Sequence, residues 1–490
     1  MARRSADDAA RAQDKARREQ ASDPGPMPPA GAKRPRRAST PEAQVNGDID
    51  NYFAGAIEAA RIYTGRTDIQ PASSTEDLII GLRMPALSCA ILFNCDVMPL
   101  SRVVRITGKR GCNKSALLYE FERWVIVHNG FVAHVETEGK DTPDLRSSVL
   151  QHRKDWLTHN FRWHPADSQQ DWQKAVQFWV RHVGKQQDIT TGWRRPLIVG
   201  VDSFTAAAAE EEHKKIEKVG HAERGYASEA LLNARYLPSL PPLVRNKPIL
   251  IAGISHGISG TDAMGRPEFR AKGGQAMSFF ETFEVRATKI KGNKTAEGGW
   301  NFIELRTDKN SLGADAVKLK VRFEWMFEPD PDDLTSIRQV SNWDWHAATI
   351  EAFADMKKDQ KGMWNDVNQI VDLHLTDSGR RGWSKALDIP NTKTVSWTEL
   401  GKALDKRRDI VDALYVPLKI RRRTPFIPGV PFSEQIAKGK AAMRELEGDS
   451  LYEEMDTSRF EVFDRELEEA VGGRKSVAVD PDEYEDEDDE

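Results

Sequence analysis

Apolar positions along this chain follow two periods, and the two alternate through its middle. Short runs rich in Val, Ile, Leu and Phe stand at Val103–Thr107, Phe131–Glu136, Leu197–Val201, Ile249–Ile254, Thr282–Lys289, Phe302–Thr307 and Val317–Phe323. Such runs predict strands, largely buried. Stretches of helical spacing, such as Ala116–Val127, lie between the earlier ones. Strand and helix alternating from about Leu78 to Trp325 predict an α/β fold on a mostly parallel, twisted sheet. The last three runs have no helix between them and predict an antiparallel extension of that sheet.

The flanks differ in character. Asn51–Tyr63 places Phe53, Ile57, Ala60 and Ile62 at helical spacing, and Gly65 ends the pattern. Glu328-Pro-Asp-Pro-Asp-Asp333 reads as a linker. Beyond it, helical patterns dominate from Trp343 to Leu414, and Ser396-Trp-Thr-Glu399 forms a capping box. The expected organisation is a basic disordered arm at 1–48, a short segment at 49–77 and an α/β core at 78–328. A small, mainly helical domain at 334–430 follows, then a helical segment and acidic disordered tail at 431–490.

Composition narrows the class. A chain of 490 residues with 39% apolar content and 13 Trp can bury a large core in two folded units. Cys89, Cys95 and Cys112 have neither metal-ligand spacing nor a paired framework, which fits a reducing, intracellular setting. No apolar run approaches the ~18 residues that cross a bilayer. The basic N-terminus has no apolar stretch of the secretory kind. No membrane partner is expected, and the cytoplasm is the expected place. The formal charge of −5 hides an asymmetry: residues 1–40 carry ten Lys/Arg against five Asp/Glu, while Asp480–Glu490 contains nine carboxylates. An acidic end on a nucleic-acid-binding protein would compete with phosphate for basic surfaces.

The candidate chemistry begins at Gly108-Lys109-Arg110-Gly111-Cys112-Asn113-Lys114-Ser115, placed between a strand and a helix. This is the context of a Walker A phosphate loop, whose backbone N–H groups face phosphate oxygens at a helix N-terminus. Lys114 would reach the terminal phosphates of ATP, and Ser115 would ligate Mg²⁺. Asn113 stands where the pattern asks for glycine; Asn is among the residues that best tolerate left-handed dihedrals. Cys112 reads as a small filler. Leu197-Ile-Val-Gly-Val-Asp202 is a buried-strand run ending in one carboxylate, as a second Mg²⁺-holding Asp requires. The strand after the loop helix ends His134-Val-Glu136-Thr-Glu138, and alternation puts Glu136 and Glu138 on one face. Either could orient the attacking water. Gly257–Lys272 holds three glycines with Arg266, Phe269, Arg270 and Lys272, a flexible basic loop suited to phosphate contacts and base stacking. The basic run Lys419–Arg423, with Arg380 and Arg381, reads first as a solvated face.

The order of these pieces resembles the RecA/Rad51-type recombinases over roughly Leu82 to Trp325. Leu87–Leu92 and Met98–Gly108 look like that family's approach to its phosphate loop. Glu138 falls at its catalytic glutamate, and Val201-Asp202-Ser203 at its Mg²⁺ strand. Lys218–Tyr226, with Arg224, resembles the first DNA-binding loop, and Gly257–Lys272 occupies the place of the second. His256 stands where the family has a γ-phosphate-sensing glutamine. Gly273–Phe280 resembles its Gly-Gly-x-Ala-Leu-x-Phe segment. Arg306 and Lys309 lie near paired lysines that reach a neighbouring subunit's ATP, with Thr307 in place of one of them. The resemblance implies a RecA-like core, ATP and Mg²⁺ as cofactors, and DNA-dependent ATP hydrolysis. It also implies a homo-oligomeric filament on single-stranded DNA, registered by the segment at 49–77, that pairs with double-stranded DNA in recombination and repair. Single-strand-binding and loader proteins are further expected partners, in a bacterial or phage-infected cell. Two other readings stay open: a hexameric helicase-type motor on the same fold, and an ATP-gated single-strand-binding filament with little hydrolysis.

Overall fold

The computed structural model describes residues 79–139, 143–190, 192, 194–205, 232–261, 267–271, 280–311, 317–331, 335–376 and 380–439; for 184–190, 258–261 and 267–271 it describes the backbone alone. All of them fall in one structural unit, Asp77–Glu490. The expected arm and segment at 1–77, the acidic tail, and Arg224, Arg266 and Lys272 lie outside the described residues.

Most of the chain folds around one sheet. Its strands are β3 (Arg102–Gly108), β4 (Phe131–Glu136), β5 (Phe161–Pro165), β6 (Leu197–Asp202), β7 (Ile249–Thr261), β8 (Pro267–Ala271), β9 (Phe283–Thr295), β10 (Gly298–Asn310), β11 (Lys318–Pro329) and β12 (Ile337–Trp343). They lie in the order β12-β11-β10-β9-β3-β7-β6-β4-β5, with β8 paired to β7. From β9 to β5 all neighbours run parallel; β9 to β12 are antiparallel. β6 is buried at all six positions, as expected of a parallel strand covered on both faces. That is why Leu197-Ile-Val-Gly-Val reads as a continuous apolar run and not an alternating one.

Register collects the carboxyl ends of the parallel strands at one edge. Gly108 of β3 pairs with His256 of β7 and Ala287 of β9. Val201 of β6 pairs with Gly253, and Glu136 of β4 pairs with Asp202. Ligands of open α/β sheets bind outside such ends.

Among the helices, α1 (Leu87–Phe93) is buried at every position and α2 (Lys114–Val127) at nearly all. α3 (Pro143–Val149) meets β12, where Ser148 donates to Ser341; α4 (Gln169–Thr190) packs on β4 and β6, and α5 (Leu240–Val244) precedes β7. Residues of α1 divide between two apolar clusters. Cys89, Leu92 and Phe93 belong to the sheet core, while Leu87, Ala90 and Ile91 pack with the C-terminal helices. Those helices are α6 (Trp345–Asp359), α7 (Lys361–Val371), α8 (Trp397–Lys406) and α9 (Arg408–Leu414). Ser396 and Glu399 form the expected capping box at α8.

Three expectations are corrected. Gly257–Lys272 is not a simple loop: β7 continues to Thr261, and Gly257 pairs with Ala271 through Thr261 with Pro267. Gly257 and Gly260 do not interrupt the ladder, since both are paired within it. Nor does the sheet end at the Glu328–Asp333 segment. β12 follows it and pairs Phe323 with Trp343 and Pro329 with Ile337, so Trp343 is a strand residue. The C-terminal region is also not helical throughout, because β13 (Leu373–Leu375), β14 (Arg381–Ser384) and β15 (Val395–Ser396) form a small sheet. A third sheet pairs β1 (Ile80–Arg83) with β2 (Val97–Pro99) and with β16 (Thr424–Pro425), tying the end of the described chain back to its start.

Candidate functional site

The loop leaves β3 at Gly108, where a Cβ would collide with the Ala287 carbonyl oxygen and the Cys112 sulfur; only glycine passes so close to β9. Gly111 and Asn113 both take left-handed dihedrals, with φ of 79° and 60°. Asn113 is the N-cap residue of α2, yet its side chain makes no capping bond. Cys112 is buried, and its thiol donates to the Lys109 carbonyl at 2.8 Å, which fits the filler role. Lys109 and Arg110 are exposed. The ammonium of Lys114, itself buried, donates to the same Lys109 carbonyl at 3.0 Å and so lies back across the loop. The loop delivers its chain to the N-terminus of a 14-residue helix, where free N–H groups and the helix dipole favour an anion.

Ser115 donates its hydroxyl to Asp202 Oδ2 at 2.5 Å. Burial pushes the Asp202 carboxyl up to about 6, helped by the charges of Glu138 and Glu136 and opposed by the Ser115 hydroxyl and by His134. A hydroxyl beside one buried carboxylate suits Mg²⁺, which is held by few protein oxygens and keeps waters and phosphate oxygens around it. The described residues contain no cluster of three or more His, Cys, Asp or Glu fit to hold a metal, so a denser cage of the zinc or calcium kind has no candidate there. The Asp202–Ser203 peptide is cis.

Glu136 and Glu138 separate in role. Glu136 is buried beside Asp202 and accepts the Glu138 backbone N–H at 2.8 Å. Glu138 turns to the end of β7 and forms a short ion pair with the His256 ring. Two residues singled out from distant parts of the sequence therefore meet in front of the loop strand. His256 also donates its backbone N–H to Thr205 Oγ1 at 3.1 Å.

Arg306 and Lys309 lie apart from these groups. Thr107, Arg286 and Arg306 align across β3, β9 and β10, so Arg306 is two strands from the loop strand. There it pairs with Asp308, which Arg286 also engages. Lys309 sits opposite Glu284. Thr307 is buried and donates to the Leu92 carbonyl at 2.6 Å, a contact that fastens β10 to α1. Phe269 and Arg270 lie in β8 beside Ser259 and Ile258.

Three polar clusters near the candidate site escaped the sequence reading. His134 is buried between Glu122 of α2, at 2.7 Å, and Glu136, at 3.8 Å, with its ring stacked on Tyr119. Burial alone would lower its pKa, but the carboxylates of Glu122 and Glu136 hold it up to about 10. The paired carboxylates thus favour the protonated ring at this position beneath the carboxylate end of the site. The signal was a histidine inside an otherwise apolar strand. Arg105 of β3 is buried with Glu281 and Glu284 at 2.5 and 2.7 Å, and Thr107 donates to Glu284. Asn301 of β10 donates to Asn113 Oδ1 at 2.7 Å; no spacing rule links positions 188 residues apart.

Comparison of the chain with protein-family models returned no match, and comparison with curated proteins returned none either. No helix among the described residues is long and apolar enough to cross a membrane.

Proposed function

We propose that the chain is a RecA-like, DNA-dependent ATPase that forms filaments on single-stranded DNA and promotes homologous pairing and strand exchange with duplex DNA. The observation that carries this reading is the meeting of four sequence-distant groups at one sheet edge. Lys114 and Ser115 open α2, Asp202 ends β6, and Glu138 faces His256 at the end of β7. Support from topology is that the loop strand β3 lies two strands from β6, with β7 between, and that an antiparallel extension continues from β9.

Bound Mg²⁺ would supply charge neutralisation for the phosphates, held by Ser115 and Asp202. Lys114 places a buried positive charge beside the loop, where the terminal phosphates of ATP would lie. Glu138 would orient the attacking water and take its proton. While it is paired with His256, its carboxylate is fixed in direction, and His256 stands at the root of the β7–β8 hairpin. The Glu138 carboxylate would then contact the residue that precedes the segment the reading assigns to DNA. Arg306 and Lys309 would act from a neighbouring subunit, as the resemblance implies.

Lys114→Ala tests the assignment. Binding of MgATP should weaken by about 10- to 100-fold, the scale of a charge-assisted contact, and DNA-stimulated phosphate release should vanish. Unchanged ATP hydrolysis in that variant would overturn the reading.

A further inference from the structure

A row of side chains crosses the antiparallel extension directly beneath the first turn of α2. Register places Gly292 of β9, Asn301 of β10, Phe323 of β11 and Trp343 of β12 side by side. Directly opposite residues of paired strands face the same side of a sheet. Two of the four hold α2. The Trp343 indole N–H donates to the Ala116 carbonyl at 3.2 Å, and Asn301 donates to Asn113 Oδ1 at 2.7 Å. Phe323 fills the space between, its ring 4.9 Å from that of Trp343.

Asn301 is 6% exposed. Its own Oδ1 has no hydrogen-bond partner among the described residues. A buried amide left half satisfied is destabilising, so its place in the sheet is explained by what its other end holds. Gly292 makes the room: a Cβ there would collide with the Asn301 side-chain oxygen. The amide of Asn113 is equally specific, because it turns away from its own helix, where an N-cap side chain ordinarily bonds, and toward β10.

We propose that Asn301 is a positioning residue for the phosphate loop, and that the Asn113–Asn301 amide pair does by a fixed contact what glycine does by conformational freedom. Asn113 is left-handed, a conformation that is freer for glycine than for any residue with a Cβ, Asn included. The hydrogen bond offsets that disadvantage and holds the residue before Lys114 in one conformation. With glycine at 113 the same dihedrals are reachable, but so are many others. The pair also links the loop to the β9–β10 arm, since β9 already touches the loop through Ala287. The inference rests on the loop being a nucleotide site, and it adds a determinant of affinity to that site.

The test is a mutant cycle read by equilibrium binding and dissociation of a fluorescent ADP with Mg²⁺. It is accompanied by steady-state ATPase kinetics on the full chain. Asn301→Ala should weaken nucleotide binding about tenfold, mainly through faster dissociation, and raise KM while leaving kcat within about twofold. Asn113→Gly should weaken binding to a similar degree, and adding Asn301→Ala in that background should bring no further loss. A structural role in the sheet alone would lower thermal stability in both backgrounds and leave the KM-to-kcat split unmoved. Unaltered affinity of Asn301→Ala, or losses that multiply in the double variant, would overturn the pair. If the unaltered chain binds no nucleotide, the site assignment itself fails and the pair fails with it.

Discussion

Glu136 and Glu138 are two positions apart on one strand end, and their surroundings make them different reagents. Glu136 is enclosed between the His134 imidazolium and the Glu138 N–H, in line with Asp202. It is the more buried of the two and lies among the charges of the site. Glu138 lies nearer the surface and pairs with the His256 ring. Glu138→Gln should therefore cut hydrolysis by about a hundredfold or more, the scale of losing a general base, while ATP-dependent DNA binding persists. Glu136→Gln should instead weaken Mg²⁺-dependent nucleotide binding, because it removes a charge that stabilises the imidazolium beneath Asp202. Single-turnover phosphate release on both variants separates the two, and the reverse pattern would exchange their roles. Alternation suggested one face for both carboxylates, but β4 ends at Glu136, and Glu138 lies beyond it, turned to the end of β7. The sequence could not choose between them, because the choice depends on β6 pairing beside β4 and on β7 lying one strand further along.

At the scale of elements, legibility followed burial. β3, β4, β6 and the start of β7 are strands covered on both faces, and their apolar runs stood out. β5, with Arg162 and Trp163 exposed, and β1, β2 and β12 are short or mixed in composition, so a chemically plain pattern hid them. The ends of β7 and β9 were missed for another reason: their outer halves carry Gly, Lys and Thr, and strand pairing across a hairpin sustains them where periodicity does not. Asn301 fell just before the predicted Phe302–Thr307 run, and the register shift between Phe302 and Ile303 breaks the alternation that would have shown which way it faces.

The junction of β3 with the approach to β9 carries a testable charge imbalance. Arg105 meets both Glu281 and Glu284 in a buried place. Burial pushes the Glu281 carboxyl up to about 8, with Glu284 adding to it and Arg105 opposing it. The folded state then holds a proton that the unfolded chain releases in the ordinary carboxylate range. Stability accordingly falls as pH rises from that range to about 8. Glu281→Gln removes the titration while keeping a hydrogen-bonding amide. Between pH 5 and pH 8.5 the Tm of the unaltered chain should decline relative to that of the variant, with the variant gaining ground above neutrality. Parallel Tm profiles across that range would mean Glu281 is ionised in the fold throughout.

For the whole molecule, one edge of one sheet gathers the Gly108–Ser115 loop, the Ser115–Asp202 pair, the Glu138–His256 pair and the root of the β7–β8 hairpin. The antiparallel extension beyond β9 holds α2 from the other side, and the C-terminal helices dock on α1. The proposed nucleotide site and the element read as DNA-binding would therefore meet on one strand, β7, which is the structural content of the proposal that ATP governs DNA association. Electron microscopy of the full chain with single-stranded DNA, Mg²⁺ and a non-hydrolysable ATP analogue tests that claim most directly. Regular helical filaments should coat the DNA with the analogue present, and not with ADP or with the Lys114→Ala variant. Bare DNA in the presence of the analogue, or closed rings in place of filaments, would contradict it.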